Sequence, residues 1–77
     1  MRVSEVYVKF RVLIAQDEDG VFVAEVPSLP GCLSQGTTRE EAVLNVREAI
    51  EAYLESLKER GEPIPPQIDE EVVEVAI

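Results

Sequence analysis

Residues 17–50, DEDGVFVAEVPSLPGCLSQGTTREEAVLNVREAI, decide the fold of this chain. An acidic turn ending in Gly20 leads into a short apolar strand, and a corner with two prolines and Gly31 follows. Two threonines then stand three residues ahead of two glutamates, which is the spacing of a capping box at the start of a helix. The stretch therefore predicts a strand, a corner, a further short strand and a long helix, in that order.

Alternating apolar and polar residues predict strands on both sides of the acidic turn. Residues 6–15 alternate with the period of a half-buried strand. Residues 21–26 are rich in β-branched side chains and form the returning strand of a hairpin, whose turn uses the conformational freedom of Gly20. Residues 32–35 predict a short third strand that ends at Gly36.

The helix is predicted over residues 39–60. Apolar residues recur there at spacings of three and four and define one buried stripe. Glu48, Glu51 and Glu55 fall on the opposite, solvated side, and Gly61 is placed to end the helix. Either threonine of the capping box can serve as the N-cap, so two registers of the helix start remain open.

The chain after the helix predicts a fourth strand. Three prolines in residues 63–66 forbid a helix and favour an extended crossing segment, and residues 72–77 return to alternation. A right-handed crossover through the helix places the fourth strand parallel to the first. The predicted fold is thus a two-layer α+β domain, β-β-β-α-β, with a mixed four-stranded sheet and one helix packed on one face. Residues 1–77 are predicted to form one domain.

The charge of the chain restricts its partners. There are 7 basic and 16 acidic residues, and the net charge is −9. Proteins that bind nucleic acid directly concentrate Lys and Arg to displace the counterions of phosphate, whereas the basic residues here are scattered. We therefore expect no direct binding to nucleic acid and a basic protein as the natural partner. The alternative is that the acidity only keeps a small protein soluble.

The small size predicts self-association. A domain of 77 residues buries only about 60% of its unfolded surface and needs a further source of stability. One cysteine and no histidine leave neither an internal disulfide nor a zinc site, so we expect a homodimer or a higher homo-oligomer. The apolar runs are far shorter than a membrane span, and the chain begins with charged residues rather than a leader. With a single free cysteine, this predicts a cytoplasmic protein without a membrane partner.

A search for catalytic chemistry gives no candidate residues. Cys32 has no histidine to activate it, and the serines lack both a base and a nucleophile elbow. The acidic turn at residues 17–19 is followed by apolar residues rather than by the ligands of a calcium loop. A two-metal nuclease would need acids in the middle of the first strand, where Lys9 and Arg11 stand instead. We predict no enzymatic activity, no cofactor and no metal.

The ordered series of motifs resembles the HicB-like antitoxin family. It runs from DGVFVA at residues 19–24 through VPSLPGCLSQGTT at 26–38 and EEA at 40–42, and the likeness continues past the helix to Pro65. Each motif is common alone, whereas the whole series is specific. The residues that carry this fold signature are Gly20, Pro27, Pro30, Gly31, Cys32, Gly36, Thr38 and Glu41.

The resemblance implies both a fold and a function. It implies a partly degraded ribonuclease H-like sheet, and the role of antitoxin in a type II toxin–antitoxin system. Such an antitoxin binds and neutralises a small basic HicA-like toxin that cleaves mRNA. Many family members carry a C-terminal DNA-binding domain; the sequence stops at Ile77, and we expect none here.

Two questions remain open at the level of sequence. The first is whether the chain is instead a stand-alone oligomeric protein- or ligand-binding regulatory domain without catalytic activity. The second is which surface meets a partner. Glu48, Glu51 and Glu55 on the helix are the first candidates for partner binding, and the face of the sheet away from the helix is the other.

Overall fold

The computed structural model describes residues 7–77 and shows three strands followed by one helix. The strands form an antiparallel sheet in the order β1-β2-β3, and the helix packs against β2 and β3. The predicted α+β class and the order β-β-β-α are confirmed. In chain order the elements are β1 (Leu13–Gln16), β2 (Phe22–Glu25), β3 (Leu33–Gly36) and α1 (Arg39–Glu59).

The hairpin between β1 and β2 is closed by the acidic turn. Gly20 has a φ of 85°, a left-handed conformation that glycine adopts without strain. The Asp17 carboxylate accepts hydrogen bonds from the backbone N–H groups of Asp19 and Val21, both at 2.9 Å. An aspartate that bonds the backbone two residues on is a typical turn former. The role of Asp17 in the acidic turn is therefore to hold the turn backbone in place.

β1 is shorter than the sequence predicts. The predicted strand covered residues 6–15, of which Val6 lies outside the described residues, whereas β1 spans Leu13–Gln16. Its ladder with β2 starts where Leu13 pairs with Glu25, and β2 then leads into the corner at residues 27–31. The residues ahead of β1 consequently have no strand opposite them. Phe10 and Val12 nevertheless pack against the core, as their alternation indicates.

The corner between β2 and β3 contributes to the core. The backbone N–H of Val26 donates to the Cys32 carbonyl at 3.0 Å, which closes the corner at its base. Within the loop, Leu29 donates to Val26 at 3.0 Å, and Cys32 donates to Leu29 at 2.9 Å. This turn directs the Leu29 side chain inward, where it is 0% exposed. The buried core consists of Ala24, Val26, Leu29, Cys32, Ala42 and Val46.

The start of α1 decides between the two capping registers. Thr38 is the N-cap, and its hydroxyl accepts a hydrogen bond from the Glu41 backbone N–H at 3.0 Å. The Glu41 carboxylate in turn accepts from the Thr37 backbone N–H at 2.9 Å. At the other end, Arg60 is the C-cap and Gly61 follows with a φ of 68°. Both ends of the helix thus lie at the residues that the sequence marks. Among the described residues, no helix is long and apolar enough to cross a membrane.

Removing the Thr38 hydroxyl should destabilise the domain more than removing the Thr37 hydroxyl, because Thr38 is the N-cap. We expect Thr38→Ala to lower the free energy of unfolding by about 1 kcal/mol, because one N–H in the first turn loses its acceptor. Thr37→Ala is the matched control; it keeps the backbone N–H that Glu41 binds and should cost less than half as much. Urea denaturation of both variants measures the difference, and equal losses would contradict the assigned register.

The chain passes close to the start of α1 where β3 ends at Gly36. A Cβ atom at Gly36 would lie 2.5 Å from the Ala42 nitrogen and 2.8 Å from the Glu41 Cβ. The Asn45 side-chain amide donates to the Gln35 carbonyl at 2.9 Å, which ties the second turn of α1 to β3. Position 36 therefore requires glycine, because there is no room for a side chain between β3 and α1.

The predicted fourth strand is not formed. Residues 62–77, the C-terminal segment, contain neither helix nor strand, so the described sheet is three-stranded and antiparallel rather than mixed and four-stranded. The Arg11 guanidinium donates to the Ile68 carbonyl at 2.7 Å and pairs with Glu70 at 3.1 Å. Ser28 donates to Gln67 at 3.5 Å. Arg11 and Ser28 lie outside the ladder, so they hold the start of the segment without aligning it on a strand.

Candidate functional site

Cys32, the one residue with nucleophilic chemistry in the signature, is a core residue. Its side chain is 4% exposed and belongs to the buried cluster under α1. Burial raises the pKa of the Cys32 thiol above its usual value of 9.0, because a thiolate is poorly solvated there. Nucleophilic cysteines show the reverse, a lowered pKa at an accessible position. Across residues 7–77, no three metal-ligating side chains come together.

The burial of Cys32 predicts slow chemical modification. We expect a thiol reagent at pH 8 to label Cys32 at least about 100-fold more slowly in the native chain than in urea, since reaction requires opening of the core. Ala15→Cys, at an exposed position of β1, provides an accessible thiol for comparison and should react at once. Equal labelling rates of the two thiols would contradict the placement of Cys32 in the core.

The same burial sets a pH dependence of stability. The unfolded thiol ionises near pH 9.0, whereas the folded thiol holds its proton to a higher pH. The unfolded state therefore binds fewer protons in that window, and the free energy of unfolding falls as the pH rises above 9.0. Urea melts between pH 8 and 10 should show this decline in the parent chain and a smaller one in Cys32→Ala.

Three glutamates form one continuous acidic surface on α1. Glu48, Glu51 and Glu55 are all exposed, and their spacing of three and four residues places them on one face of the helix. Ala42 and Val46, which are buried against the sheet, lie on the opposite face. We call Glu48, Glu51 and Glu55 the acidic stripe. The sheet fixes the rotation of α1, and this rotation directs the stripe straight away from the core.

The carboxylates of the acidic stripe form no ion pair within residues 7–77, although Arg47 and Lys58 lie four and three residues from Glu51 and Glu55 on the same helix. In the part of the chain that the structure describes, the side-chain ion pairs are Arg11 with Glu70 and Arg60 with Glu62. Neither pair includes a stripe residue. Carboxylates three and four residues apart repel one another on a helix surface. A cationic partner would relieve this repulsion as well as gain attraction.

Apolar surface flanks the acidic stripe at both ends. Leu44 lies one turn before Glu48 on the same face and is 59% exposed. At the other end, Glu55 lines a largely apolar groove between the last turns of α1 and the chain that follows; its walls include Leu54, Leu57 and Ile64. Protein interfaces combine apolar contacts with a polar rim. The solvent face of α1 offers this combination.

Leu44 is a residue that the sequence interpretation missed. The signal for it was present, because a leucine four residues before Glu48 is out of phase with the apolar stripe that faces the sheet. An apolar residue at an exposed helix position is common and carries little meaning alone. Its position beside three unpaired carboxylates makes it part of the same surface.

The outer face of the sheet is the second candidate surface. Leu13, Glu25 and Leu33 stand in one row across the three strands, with both leucines about half exposed. The neighbouring row, Ile14 with Ala24, faces α1 instead, because successive side chains alternate between the two faces of a sheet. The outer face and the acidic stripe lie on opposite sides of the two-layer domain. A single flat patch on a partner therefore contacts only one of them.

The residues of the fold signature lie in turns, in the core and at the helix start. Gly20 closes the hairpin, Gly31 adopts a φ of 80° in the corner, and Cys32 packs inside. Gly36 and the capping residues form the junction between β3 and α1. None of them belongs to the acidic stripe. The signature residues shape the scaffold, and the stripe is a feature of the surface that this scaffold presents.

The fold defines a small α+β domain with one helix packed on a three-stranded antiparallel sheet. Residues 10–75 match the model of the HicB-like antitoxins of bacterial toxin–antitoxin systems, and the chain belongs to this family. The family that the ordered series of motifs indicates is thus confirmed.

Similar proteins include two UPF0150 proteins and one solved antitoxin domain. The chain is 53% identical over 64 residues to a UPF0150 protein of Thermoplasma acidophilum, covering 83% of this chain and 93% of the relative. It is 50% identical over 64 residues to a UPF0150 protein of Archaeoglobus fulgidus, covering 80% and 93%. The crystal structure of the N-terminal domain of the Burkholderia pseudomallei antitoxin HicB is similar, with a TM-score of 0.70 and 34% identity. That match covers 79% of this chain and 72% of that one.

Proposed function

We propose that this chain is the antitoxin of a type II toxin–antitoxin system, and that it binds and neutralises a small basic HicA-like toxin that cleaves mRNA. Membership in the HicB-like antitoxin family supports the class of function. The observation that carries the proposal on this molecule is the acidic stripe, three exposed carboxylates without an ion pair among the described residues.

The proposed mechanism is occlusion. A ribonuclease that binds mRNA presents a basic surface to phosphate, and the acidic stripe competes for that surface with fixed carboxylates. The stripe is held on a rigid helix, so little conformational entropy is lost when a partner binds. Leu44 and the groove beside Glu55 add apolar contacts at the two ends. Inhibition then requires contact with the toxin and no catalysis by this chain.

The remaining parts of the proposal follow from charge and size. A net charge of −9 repels phosphate, so the chain contacts the toxin rather than nucleic acid. We place its action in the cytoplasm, where mRNA is found, and expect it to act as a homodimer or a higher homo-oligomer. The ribonuclease H-like sheet with a fourth strand is part of this proposal and would be completed on assembly.

A second function is favoured by one specific feature, the groove at the end of α1. A stand-alone oligomeric protein- or ligand-binding regulatory domain would use this largely apolar opening as its binding site. The two proposals differ in the partner that they require. A toxin encoded beside this chain favours the antitoxin, and its absence favours the regulatory domain.

The direct test is inhibition of a neighbouring ribonuclease. Any open reading frame next to this one that encodes a basic chain of fewer than about 100 residues should be co-expressed with it and purified. We expect a complex, and we expect mRNA cleavage by the isolated toxin to stop at stoichiometric amounts of the antitoxin. Full cleavage in the presence of excess folded antitoxin, with folding checked by circular dichroism, would contradict the proposal.

A further inference from the structure

The last residues of the chain have the pattern of a strand without a strand partner. Residues 72–77, which we call the tail, read VVEVAI and alternate at Val73 and Val75. Val72, Val73 and Val75 are 92%, 75% and 71% exposed. Three strongly exposed β-branched residues within four positions are unusual on the surface of a monomer and indicate a contact that one copy does not make.

The free edge of β1 is a matching acceptor. β1 pairs with β2 on one side, and no described residue pairs with its other side. The backbone N–H and C=O groups of that edge are therefore available to an added strand, as the edges of open sheets generally are. β1 has four residues and the tail has six, so the tail is long enough to cover the whole edge.

The structure holds the residues just ahead of the tail, 68–70, near the start of β1. Arg11, two residues ahead of β1, binds the Ile68 carbonyl and the Glu70 carboxylate. The chain beyond Glu70 thus leaves the domain close to the start of β1. The valines that follow are exposed rather than covered, so the edge of the same copy does not bind them.

Charge favours the β1 edge over the other free edge of the sheet. The chain leading into β1 carries Lys9 and Arg11, and the tail and its approach carry Glu71 and Glu74. β3 has no basic residue, and the start of α1 beside it carries one basic residue, Arg39, and two acidic ones, Glu40 and Glu41. Opposite charges at the two ends of a strand pairing favour one register and one partner edge.

We propose that the tail of one copy adds as a fourth strand to the free edge of β1 in a second copy, and that the exchange is reciprocal. Two equivalent exchanges generate a two-fold dimer, the commonest symmetry of soluble oligomers. Each sheet then has the fourth strand that the alternation of residues 72–77 predicts, supplied by the partner copy. This inference rests on the proposed self-association and is independent of toxin binding.

Replacing two valines of the tail with lysine tests whether the tail is exchanged between two copies. Val73→Lys/Val75→Lys should convert a dimer into a monomer in sedimentation velocity, with the dissociation constant raised at least about 100-fold, because charges replace covered valines. Gln35→Lys/Ala52→Lys adds the same two charges at exposed positions away from the tail and should leave the dimer intact. A parent chain that stays monomeric at millimolar concentration, or equal loss of the dimer in both variants, would overturn the proposal.

Cross-linking distinguishes exchange between copies from pairing within one copy. Ala15→Cys and Val75→Cys chains are mixed under mild oxidation, and exchange predicts a disulfide-linked heterodimer of the two variants. Cβ atoms must approach to about 4 Å for this bond, so Val73→Cys is paired in parallel to cover the adjacent register. The parent chain, whose single thiol is buried, is the control. No heterodimer in either register, or an internal disulfide in the Ala15→Cys/Val75→Cys double variant at high dilution, would overturn the exchange.

The toxin assay separates this inference from the proposed function. If the tail variant is a monomer and still neutralises the toxin, both the exchange and the antitoxin function are supported. If the parent chain dimerises through the tail but leaves the toxin active, the exchange is supported and the antitoxin proposal fails. If the parent chain is monomeric and neutralises the toxin, the exchange alone fails.

Discussion

Replacing Glu48, Glu51 and Glu55 with lysine should weaken binding to a basic toxin about 100-fold at low salt. Each exposed charge pair at an interface contributes up to about 1 kcal/mol, and 1.4 kcal/mol corresponds to a tenfold change in affinity. Most of the loss should be in the association rate, since these charges steer the encounter. Titration calorimetry and stopped-flow mixing at 20 mM and 500 mM salt measure it, and the difference should shrink as salt rises.

A matched variant separates the position of the charges from their number. Reversing Glu18, Asp19 and Asp69 changes the net charge by the same amount, at the hairpin turn and in the C-terminal segment. This control should retain most of the affinity. If both triple variants lose affinity equally, net charge rather than the stripe controls binding. If the stripe variant binds normally, the outer face of the sheet, with Leu13 and Leu33, becomes the site to change next.

The largest effect on stability is expected from a single methyl group at Gly36. The added Cβ of Gly36→Ala would lie 2.5 Å from the Ala42 nitrogen, so β3 and the first turn of α1 must separate. We expect a loss of about 3 kcal/mol, the upper range for overpacking of a rigid contact. A single core of this size supplies only about 3–5 kcal/mol in total, so much of the variant should be unfolded. Urea denaturation followed by circular dichroism measures it.

Gly31→Ala is the control for this prediction. Gly31 needs its left-handed φ of 80°, but a Cβ there would meet no atom within 4 Å. Alanine at position 31 therefore adds backbone strain without a clash, and the expected loss is about 1 kcal/mol. Losses of equal size in the two variants would show that the junction of β3 and α1 relaxes to admit a side chain.

The parts of the fold that sequence predicts well are those fixed by local chemistry. The turn at Gly20 needs a positive φ, and the helix ends follow from caps that lie within a few residues of the backbone groups they satisfy. The choice between Thr37 and Thr38 was not predictable. Both threonines have a glutamate three residues further on, and only the hydrogen bond from the Glu41 N–H to the Thr38 hydroxyl distinguishes the two registers.

The features of the fold that sequence did not predict depend on contacts between residues that are distant in the chain. Leu29, between two prolines, reads as part of an exposed corner, and only the hydrogen bonds that close the corner turn it into a core residue. The alternation of residues 72–77 indicates a strand, but it does not show which strand of the sheet this segment pairs with. For the candidate site, helix periodicity alone placed Glu48, Glu51 and Glu55 on one face. The same periodicity places Leu44 on that face, and the structure adds that it is 59% exposed there.

The order of the elements also has a kinetic consequence. Each strand pairs with its neighbour in sequence, and α1 packs on the two strands that precede it. Domains dominated by such local pairings fold within milliseconds, whereas synthesis adds about 5–20 residues per second. Each hairpin of this chain can therefore close soon after its second strand emerges from the ribosome. A domain built in this order can form its sheet one hairpin at a time, and α1 then packs on strands that are already paired.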